Sequence, residues 1–168
     1  MAQSHRQGGD IVIREATMED LSALVDFCFE CEASMHWQAH GLGGERSSVI
    51  ATLVKLIECP DALTLVVEVG GSIEGACAVA LQGFSWNRSL SIASEMIWHM
   101  RPSFPEGPAK NRWLLRLMDR AQSWVKQSGA TVFKVNTRWD DLPLGSALER
   151  RGFAPFELVF LQGVNHGD

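Results

Sequence analysis

The chain has 168 residues, a length that predicts one domain with enough buried surface to fold without disulfide or metal crosslinks. Hydrophobic residues make up 46% of it and charged residues 21%, as in ordinary globular proteins. The net charge of −5 argues against nonspecific binding to nucleic acid. No apolar run approaches the ~20 residues that a membrane-spanning helix needs, and residues 1–10 lack the apolar segment of a secretion signal. We therefore expect a cytoplasmic protein in which residues 10–163 form one domain between short tails, 1–9 and 164–168.

The first third of the sequence predicts a strand followed by two helices. Residues 10–15 alternate and are rich in β-branched side chains, which favours a strand. Thr17 and Asp20 form a weak capping box, and the apolar residues after them recur at helical spacing. The glycine-rich "HGLGG" ends this helix, and a second helix is expected at about residues 45–58.

Three strand-like runs and a long helix follow. Two β-rich runs flank Gly70 and Gly71, which predicts a two-residue hairpin turn. "FSWNRS" predicts a loop, and "LSIASEMIWHM" predicts a long strand. "KNRWLLRLMDRAQSWVKQSGA" predicts an amphipathic helix that ends at Gly129.

The last part predicts a strand at "TVFKVNT", a short helix at "DDLPLGSALERRGF" and a final strand at "APFELVFLQGV". Strands that follow one another directly favour antiparallel hairpins, whereas strands separated by helices favour parallel crossovers. The order of elements therefore predicts a mixed α/β sheet with helices on both faces.

Four residues of metal-binding type lie close together in sequence, namely Cys28, Cys31, His36 and His40. On one straight helix Cys28 and His40 would be roughly 18 Å apart, too far to share a zinc ion. The cysteines also fit the apolar stripe of the first helix. We therefore predict no metal site.

The element order and several short motifs resemble the GNAT superfamily of acyl-CoA-dependent N-acyltransferases. The resemblance runs from Ile11 to Leu161 and rests on "IREATMED", "VVEVGGSIEGACAVAL", "SEMIWHMRPSF" and "LERRGFAPFE". It implies a mostly antiparallel sheet of six to seven strands with helices on both faces. It also implies acetyl-CoA or another acyl-CoA as co-substrate, no metal, and a small-molecule or protein amine as acceptor. A homodimer is compatible with the sequence.

In this family the turn into the long central helix binds the acyl-CoA pyrophosphate. The matching positions here, Glu106, Ala109 and Asn111, depart from the usual Arg or Gln, Gly, and Gly or Ala. Free N–H groups at a helix amino terminus bind anions whatever the side chains are. Lys110 and Arg112 oppose the helix dipole, so they favour a bound polyanion, although they also fit a solvated outer face. The resemblance implies a cofactor site formed by Trp98, Met100, Gly107, Ala109, Lys110, Asn111, Arg112 and Asn136.

Glu95 and His99, on the predicted fourth strand, are the catalytic candidates. Strand alternation predicts that both side chains lie on one face. A carboxylate among apolar neighbours has a raised pKa, which suits a general base. The alternative for Glu95 is a strand-end acid that meets water or an arginine. The family's usual acid, a tyrosine, corresponds to Leu148, and the chain contains no tyrosine.

The segment between the first two helices often shapes the acceptor site in this family. His36, Trp37 and His40 lie in it, and Trp86 lies in the predicted loop at 84–89; we expect these four residues to contact the acceptor. The alternative for the histidines is a favourable place near a helix carboxyl terminus. We therefore predict an N-acyltransferase that moves an acetyl group from acetyl-CoA to a primary amine by direct attack. The alternative is an inactive GNAT-fold binding protein, with or without bound CoA.

Overall fold

The computed structural model describes residues 10–35, 43–137 and 142–156. Within these ranges lie five strands, four α-helices and one 3-10 turn. In chain order they are β1 (Ile11–Glu15), the 3-10 turn (Met18–Asp20), α1 (Leu21–Ser34), α2 (Arg46–Glu58), β2 (Ala62–Val69), β3 (Ser72–Phe84), β4 (Asn87–Met100), α3 (Pro108–Ser128), β5 (Val132–Lys134) and α4 (Leu142–Glu149).

The strands form one sheet in the order β1-β2-β3-β4-β5. The first four are antiparallel neighbours, and β5 is parallel to β4. Parallel neighbours need a crossover connection, which α3 supplies. The mixed, mostly antiparallel sheet is confirmed. The predicted final strand lies largely outside the described residues, as do both predicted tails, so the count of six to seven strands stays a prediction.

Both hairpin turns of the sheet contain two residues. Gly70 and Gly71 adopt φ angles of 57° and 83°, the left-handed region that glycine tolerates best. The predicted loop at 84–89 is wrong: β3 and β4 pair as far as Phe84 and Asn87. Sequence alternation missed this ribbon because β2 pairing stops at Ala80, and the strands beyond it are largely exposed on both faces.

Alternating residues of the central strands form two cores, one on each face of the sheet. On one face Leu65, Cys77 and Val79 pack with α3 and α4. On the other face Val66 and Ala76 pack with α1 and α2. Helices therefore cover both faces, as predicted. No helix of the described ranges is both long and apolar enough to span a membrane.

A charge network joins β1 to the start of α1. Arg14 contacts both carboxylate oxygens of Asp20, at 2.7 and 2.8 Å, and donates to Glu68 at 2.7 Å. Asp20 also accepts the backbone N–H of Thr17, which is one half of the predicted capping box. The Arg14 guanidinium lowers the pKa of Asp20 to about 2, from 3.8.

We expect Arg14→Met to lower the free energy of unfolding at pH 7 by about 1–3 kcal/mol, because the buried Asp20 carboxylate loses its cation. Asp20 has a depressed pKa in the fold, so its contribution is complete above pH 3.8 and is lost as pH falls through about 2. Urea titrations from pH 7 to 2 should therefore show the two proteins converging in acid. The matched control is Arg46→Met, which breaks an exposed pair with Asp26 and should cost under about 0.5 kcal/mol. Equal losses in the two variants would contradict this.

Candidate functional site

A wedge opens between β4 and β5. The two strands are neighbours only where residues 92–94 meet residues 132–134, and β4 then continues to Met100 without β5 beside it. The backbone N–H of Arg101 donates to Glu74 on β3 at 2.7 Å. Since backbone groups alternate in direction along a strand, those of Trp98 and Met100 face away from β3, into the wedge. The open side of β4 therefore presents backbone donors and acceptors.

A β-bulge lies at the apex of this wedge. Val79 pairs with Glu95 and Ala78 pairs with Ile97, so Met96 is an extra residue in β4. Paired residues of neighbouring strands share a face. Glu95 therefore lies on the face of Val79, towards α3, and Ile97 lies on the opposite face.

The bulge overturns the predicted alternation. His99 pairs with Ala76, on the α1 side of the sheet, so it does not share a face with Glu95. Trp98 pairs with Cys77 and does share the face of Glu95. One inserted residue reverses the side chains after it, which is why the alternation rule fails here. The pairing of β4 with β5 ends just before Glu95.

Glu95 occupies the apex and is tied to the residues that follow β5. Its Oε2 atom accepts the backbone N–H of Asn136 at 3.2 Å and the side-chain amide at 3.3 Å. Burial raises the pKa of Glu95 above its ordinary value, and the two bonds from Asn136 act in the opposite direction. A carboxylate with a raised pKa can accept a proton near neutral pH.

The other candidates on β4 have different surroundings. The pKa of His99 is lowered, first by burial and then by Lys110, so its imidazole is neutral at pH 7. The Trp98 side chain is buried, and its Nε1–H donates to the Leu114 carbonyl of α3 at 2.8 Å. Met100 is also buried. Only the backbones of Trp98 and Met100 therefore face the wedge.

The entrance of α3 presents free backbone donors. Gly107 precedes the helix with φ at 114°, a conformation that favours glycine, and Pro108 is the first helical residue. The first helical bond runs from the Asn111 N–H to the Gly107 carbonyl, at 3.3 Å. The N–H groups of Ala109 and Lys110 have no acceptor among the described residues. Two donors at a helix amino terminus are therefore available to an anion.

The charged side chains around this entrance differ in their partners. Lys110 Nζ lies 2.5 Å from Glu106 Oε1, so the lysine offsets the carboxylate that the sequence placed at this turn. Arg112 is exposed and has no acidic partner in the described ranges. Arg116 lies over the Trp113 ring at 4.7 Å. The entrance is thus not closed by an acidic side chain.

Of the four predicted acceptor residues, only Trp86 lies in the described part of the chain. His36, Trp37 and His40 lie outside it. Trp86 is 89% exposed in the turn between β3 and β4. From that turn β4 runs eight residues before Glu95, about 26 Å at ~3.3 Å per residue. Leu148, where the family places its tyrosine, is buried in the α3-side core.

Sequence reasoning assigned no role to two buried residues of α1, and one of them, Cys31, lies near the wedge. Cys31 is buried, and its Sγ lies 3.9 Å from the Met100 carbonyl oxygen. Glu32 is a buried carboxylate. The available signal was an acidic residue next to the apolar stripe of α1. The described residues contain no group of three or more His, Cys, Asp or Glu placed to hold a metal.

Comparison with known proteins gives different results for the sequence and for the fold. No family model and no curated protein matches the sequence. Solved structures do match. A GNAT family acetyltransferase from Staphylococcus aureus is 14% identical, with 92% of this chain and 98% of that chain covered and a TM-score of 0.58. This chain has the fold of the GNAT acetyltransferases.

Two further GNAT-like matches were solved with cofactor. A predicted acetyltransferase from Clostridium acetobutylicum, with acetyl-CoA, is 16% identical over 91% of this chain and 96% of that one, at a TM-score of 0.65. An aminoglycoside N-acetyltransferase in complex with CoA is 14% identical over 94% and 96%, at a TM-score of 0.62. At these identities the likeness concerns the GNAT fold alone.

We expect Glu95→Gln to stabilise the unliganded protein at neutral pH. Burial raises the folded pKa of Glu95 above the unfolded value of 4.5, so the wild-type carboxylate destabilises the fold increasingly as pH rises above 4.5. Glutamine carries no charge and keeps an oxygen for the Asn136 donors. Chemical unfolding at pH 4 should give nearly equal stabilities, and at pH 8 the variant should be the more stable. A difference that does not change with pH would contradict the buried carboxylate.

Proposed function

We propose that this chain is an acyl-CoA-dependent N-acyltransferase that transfers an acetyl group to a primary amine. The observation that carries the proposal is the wedge together with the entrance of α3. Among the described residues, no strand lies beside residues 95–100 of β4 on the β5 side, and the N–H groups of Ala109 and Lys110, where the chain returns from the end of that strand, have no acceptor. An elongated ligand with a diphosphate at one end fits this pattern of donors.

The two ends of the site have separate tasks. The N–H groups at Ala109 and Lys110 bind the diphosphate, and Arg112 adds positive charge nearby. The backbones of Trp98 and Met100 hold the arm of the ligand along β4. Three further residues belong to the proposed cofactor site. Gly107 and Asn111 lie at the entrance of α3, and Asn136 lies beside Glu95 at the apex.

Glu95 is the proposed base at the apex. A primary amine has a pKa near ~10.4 and must lose a proton before it attacks a thioester carbonyl. Glu95 accepts this proton, directly or through a water molecule. Backbone N–H groups near the bulge donate to the carbonyl oxygen as it gains charge. The leaving thiol has a pKa near ~8.5, so the absent tyrosine is tolerable. His99 faces the other side of the sheet, so its role in this scheme is weaker than that of Glu95.

Acetyl-CoA should stabilise the protein against heat. Ligand at 100 times its dissociation constant adds about 2.7 kcal/mol. Arg112→Glu should weaken binding about tenfold because it places an acid beside the diphosphate, whereas Glu106→Gln should strengthen it because Lys110 is released. Thermal-shift titrations measure all three proteins. The control is Arg88→Glu, an exposed arginine near the distant β3–β4 turn, which should bind like the wild type. No shift with millimolar acetyl-CoA would remove the proposal.

Turnover should depend on Glu95 and on its bonds from Asn136. Glu95→Gln should lower kcat/KM by about 10²–10⁴ for an amine acceptor, as expected for a general base. Asn136→Ala removes a side-chain donor that lowers the pKa of Glu95, so the acidic limb of the pH–rate profile should move to higher pH. The assay is release of free thiol across pH 5 to 9. An acidic limb that stays in place would show that Asn136 does not act on Glu95.

One observation favours the second candidate, a GNAT-fold binding protein without transferase activity. Leu148 is buried in the α3-side core, so no acid replaces the family's tyrosine at that position. Stabilisation by acetyl-CoA without thiol release from any amine would support this candidate. Stabilisation with turnover would support the transferase.

A further inference from the structure

Met96 is an exposed apolar side chain within an inner strand of the sheet. It has 53% of its surface exposed, although Ser94 and Trp98, two residues away on either side, are buried. The other exposed large apolar side chains of the described ranges lie in turns, on a helix, in the outermost strands β1 and β5, or at the last described residue: Ile11, Val12, Met18, Ile50, Trp86, Val132 and Phe156. Single apolar residues at such places are ordinary on a protein surface. Met96 differs from them because it lies inside β4.

The β-bulge accounts for this exposure. Met96 is the extra residue between Glu95 and Ile97, so no residue of β3 lies opposite it. A side chain in a regular strand packs against its cross-strand neighbour, and Met96 has no such neighbour on β3. The pairing of β4 with β5 ends two residues earlier, at Ser94. Met96 accordingly belongs to neither core of the sheet.

Met96 is also the residue that follows the proposed base. Within the described ranges, both donors of Asn136 bind Oε2 of Glu95, which leaves Oε1 for the amine of the proposed function. Consecutive Cα atoms of a chain are about 3.8 Å apart. The carbon atoms next to an amine that reaches Glu95 therefore come within reach of the Met96 side chain.

The chemistry of methionine suits contact with hydrocarbon. Its unbranched, polarizable side chain adapts to apolar groups of different shape, and covering it removes apolar surface from water. An acetyl group brings a single methyl to the apex, which covers little of an exposed methionine. The hydrocarbon of the acceptor is therefore the better match. The apex then combines one carboxylate, for the amine, with one apolar side chain, for the carbon atoms beside it.

We propose that Met96 determines acceptor specificity by packing against the hydrocarbon next to the reacting amine. The inference rests on the proposed function and names its substrate class: primary amines that carry an alkyl chain or an aryl group beside the nitrogen. Amines with polar groups at that place lose the contact, because their oxygen atoms would give up water without gaining a hydrogen bond from the thioether.

The test compares n-heptylamine with 2-(2-methoxyethoxy)ethylamine, a chain of the same length in which two ether oxygens replace two methylenes. The variants are Met96→Gln, which is polar and similar in length, and Met96→Leu, which stays apolar. The control is Met18→Gln, the same change at an exposed methionine in the 3-10 turn that follows β1, the outermost strand on the other side of the sheet. Steady-state kinetics with acetyl-CoA give KM and kcat for each amine, and calorimetry gives the affinity for each amine without turnover.

We expect the wild type to have a lower KM for n-heptylamine than for the ether amine. Met96→Gln should raise the n-heptylamine KM about five- to tenfold, the effect of losing part of an apolar contact, and leave kcat, the ether-amine KM and the melting temperature unchanged. Met96→Leu should keep the preference, and Met18→Gln should change none of these values. A folded Met96→Gln protein that prefers n-heptylamine as strongly as the wild type overturns the inference and leaves the transferase intact.

Two other outcomes also overturn the inference. A Met96→Gln protein with a lower melting temperature and an equal loss for both amines would assign Met96 to the stability of the bulge. A change of preference between acetyl-CoA and hexanoyl-CoA, with the amine preference unchanged, would assign Met96 to the acyl group.

Failure of the proposed function gives a different result. If no amine is acetylated, calorimetry decides: n-heptylamine binding that Met96→Gln weakens and Met96→Leu keeps would retain the apolar amine site and remove only the transferase. Binding that is absent, or equal in the wild type and Met96→Gln, overturns the site.

Discussion

The separation of β4 from β5 after residue 94 is the constraint on which the candidate site depends. A sheet normally satisfies its backbone groups by pairing, and unpaired groups away from water are costly. Among the described residues, no strand lies beside residues 95–100 of β4 on the β5 side, and the bulge at Met96 lies next to the point where this pairing ends. α3 packs on one face of β2, β3 and β4, and the Trp98 indole donates to the Leu114 carbonyl of that helix. The exposed backbone is thus kept in a fixed place and remains available for a ligand.

The charged residues at the entrance of α3 also lie close to the end of β4. The chain leaves β4 at Arg101, turns, and begins α3 at Pro108, so the helix entrance lies beside the strand end. Arg101 reinforces this corner by donating to the Ile73 carbonyl, pairing with Glu30 and lying 5.9 Å from the Phe27 ring. α1 is thereby attached to the end of β4. The candidate base lies on β4, and the candidate anion site lies beside the end of that strand.

Much of this architecture was predictable from the sequence, and the failures have identifiable physical causes. Buried, two-sided strands and the amphipathic α3 have strong hydrophobic patterns, so their type and order were predicted well. The ribbon at residues 84–87 is exposed, so burial does not shape its sequence and it looked like a loop. The alternation in "SEMIWHM" does not place the bulge, because it is the same with or without an inserted residue. The relation of Glu95 to His99 was wrong for that reason alone.

The partners of charged side chains were harder to predict than the helices and strands. From the sequence alone, the negative charge of Glu106 was expected to weaken diphosphate binding. In the structure an ion pair with Lys110, one turn later, offsets that charge. Glu32 gave no warning because nothing in a helical pattern says which acid will be buried. Both cases depend on contacts between side chains, which periodicity does not encode. Leu148 is buried in the α3-side core, which gives it a packing role.

The indole bond of Trp98 has a consequence for length. One hydrogen bond couples Trp98, near the end of β4, to the second turn of α3, and it therefore helps to fix the spacing between the strand and the helix entrance. A fixed spacing of this kind selects ligands by their length. For the proposed acyl-CoA ligand, a fixed spacing would favour one length of arm between the reactive carbon and the phosphorus atoms over shorter or longer arms.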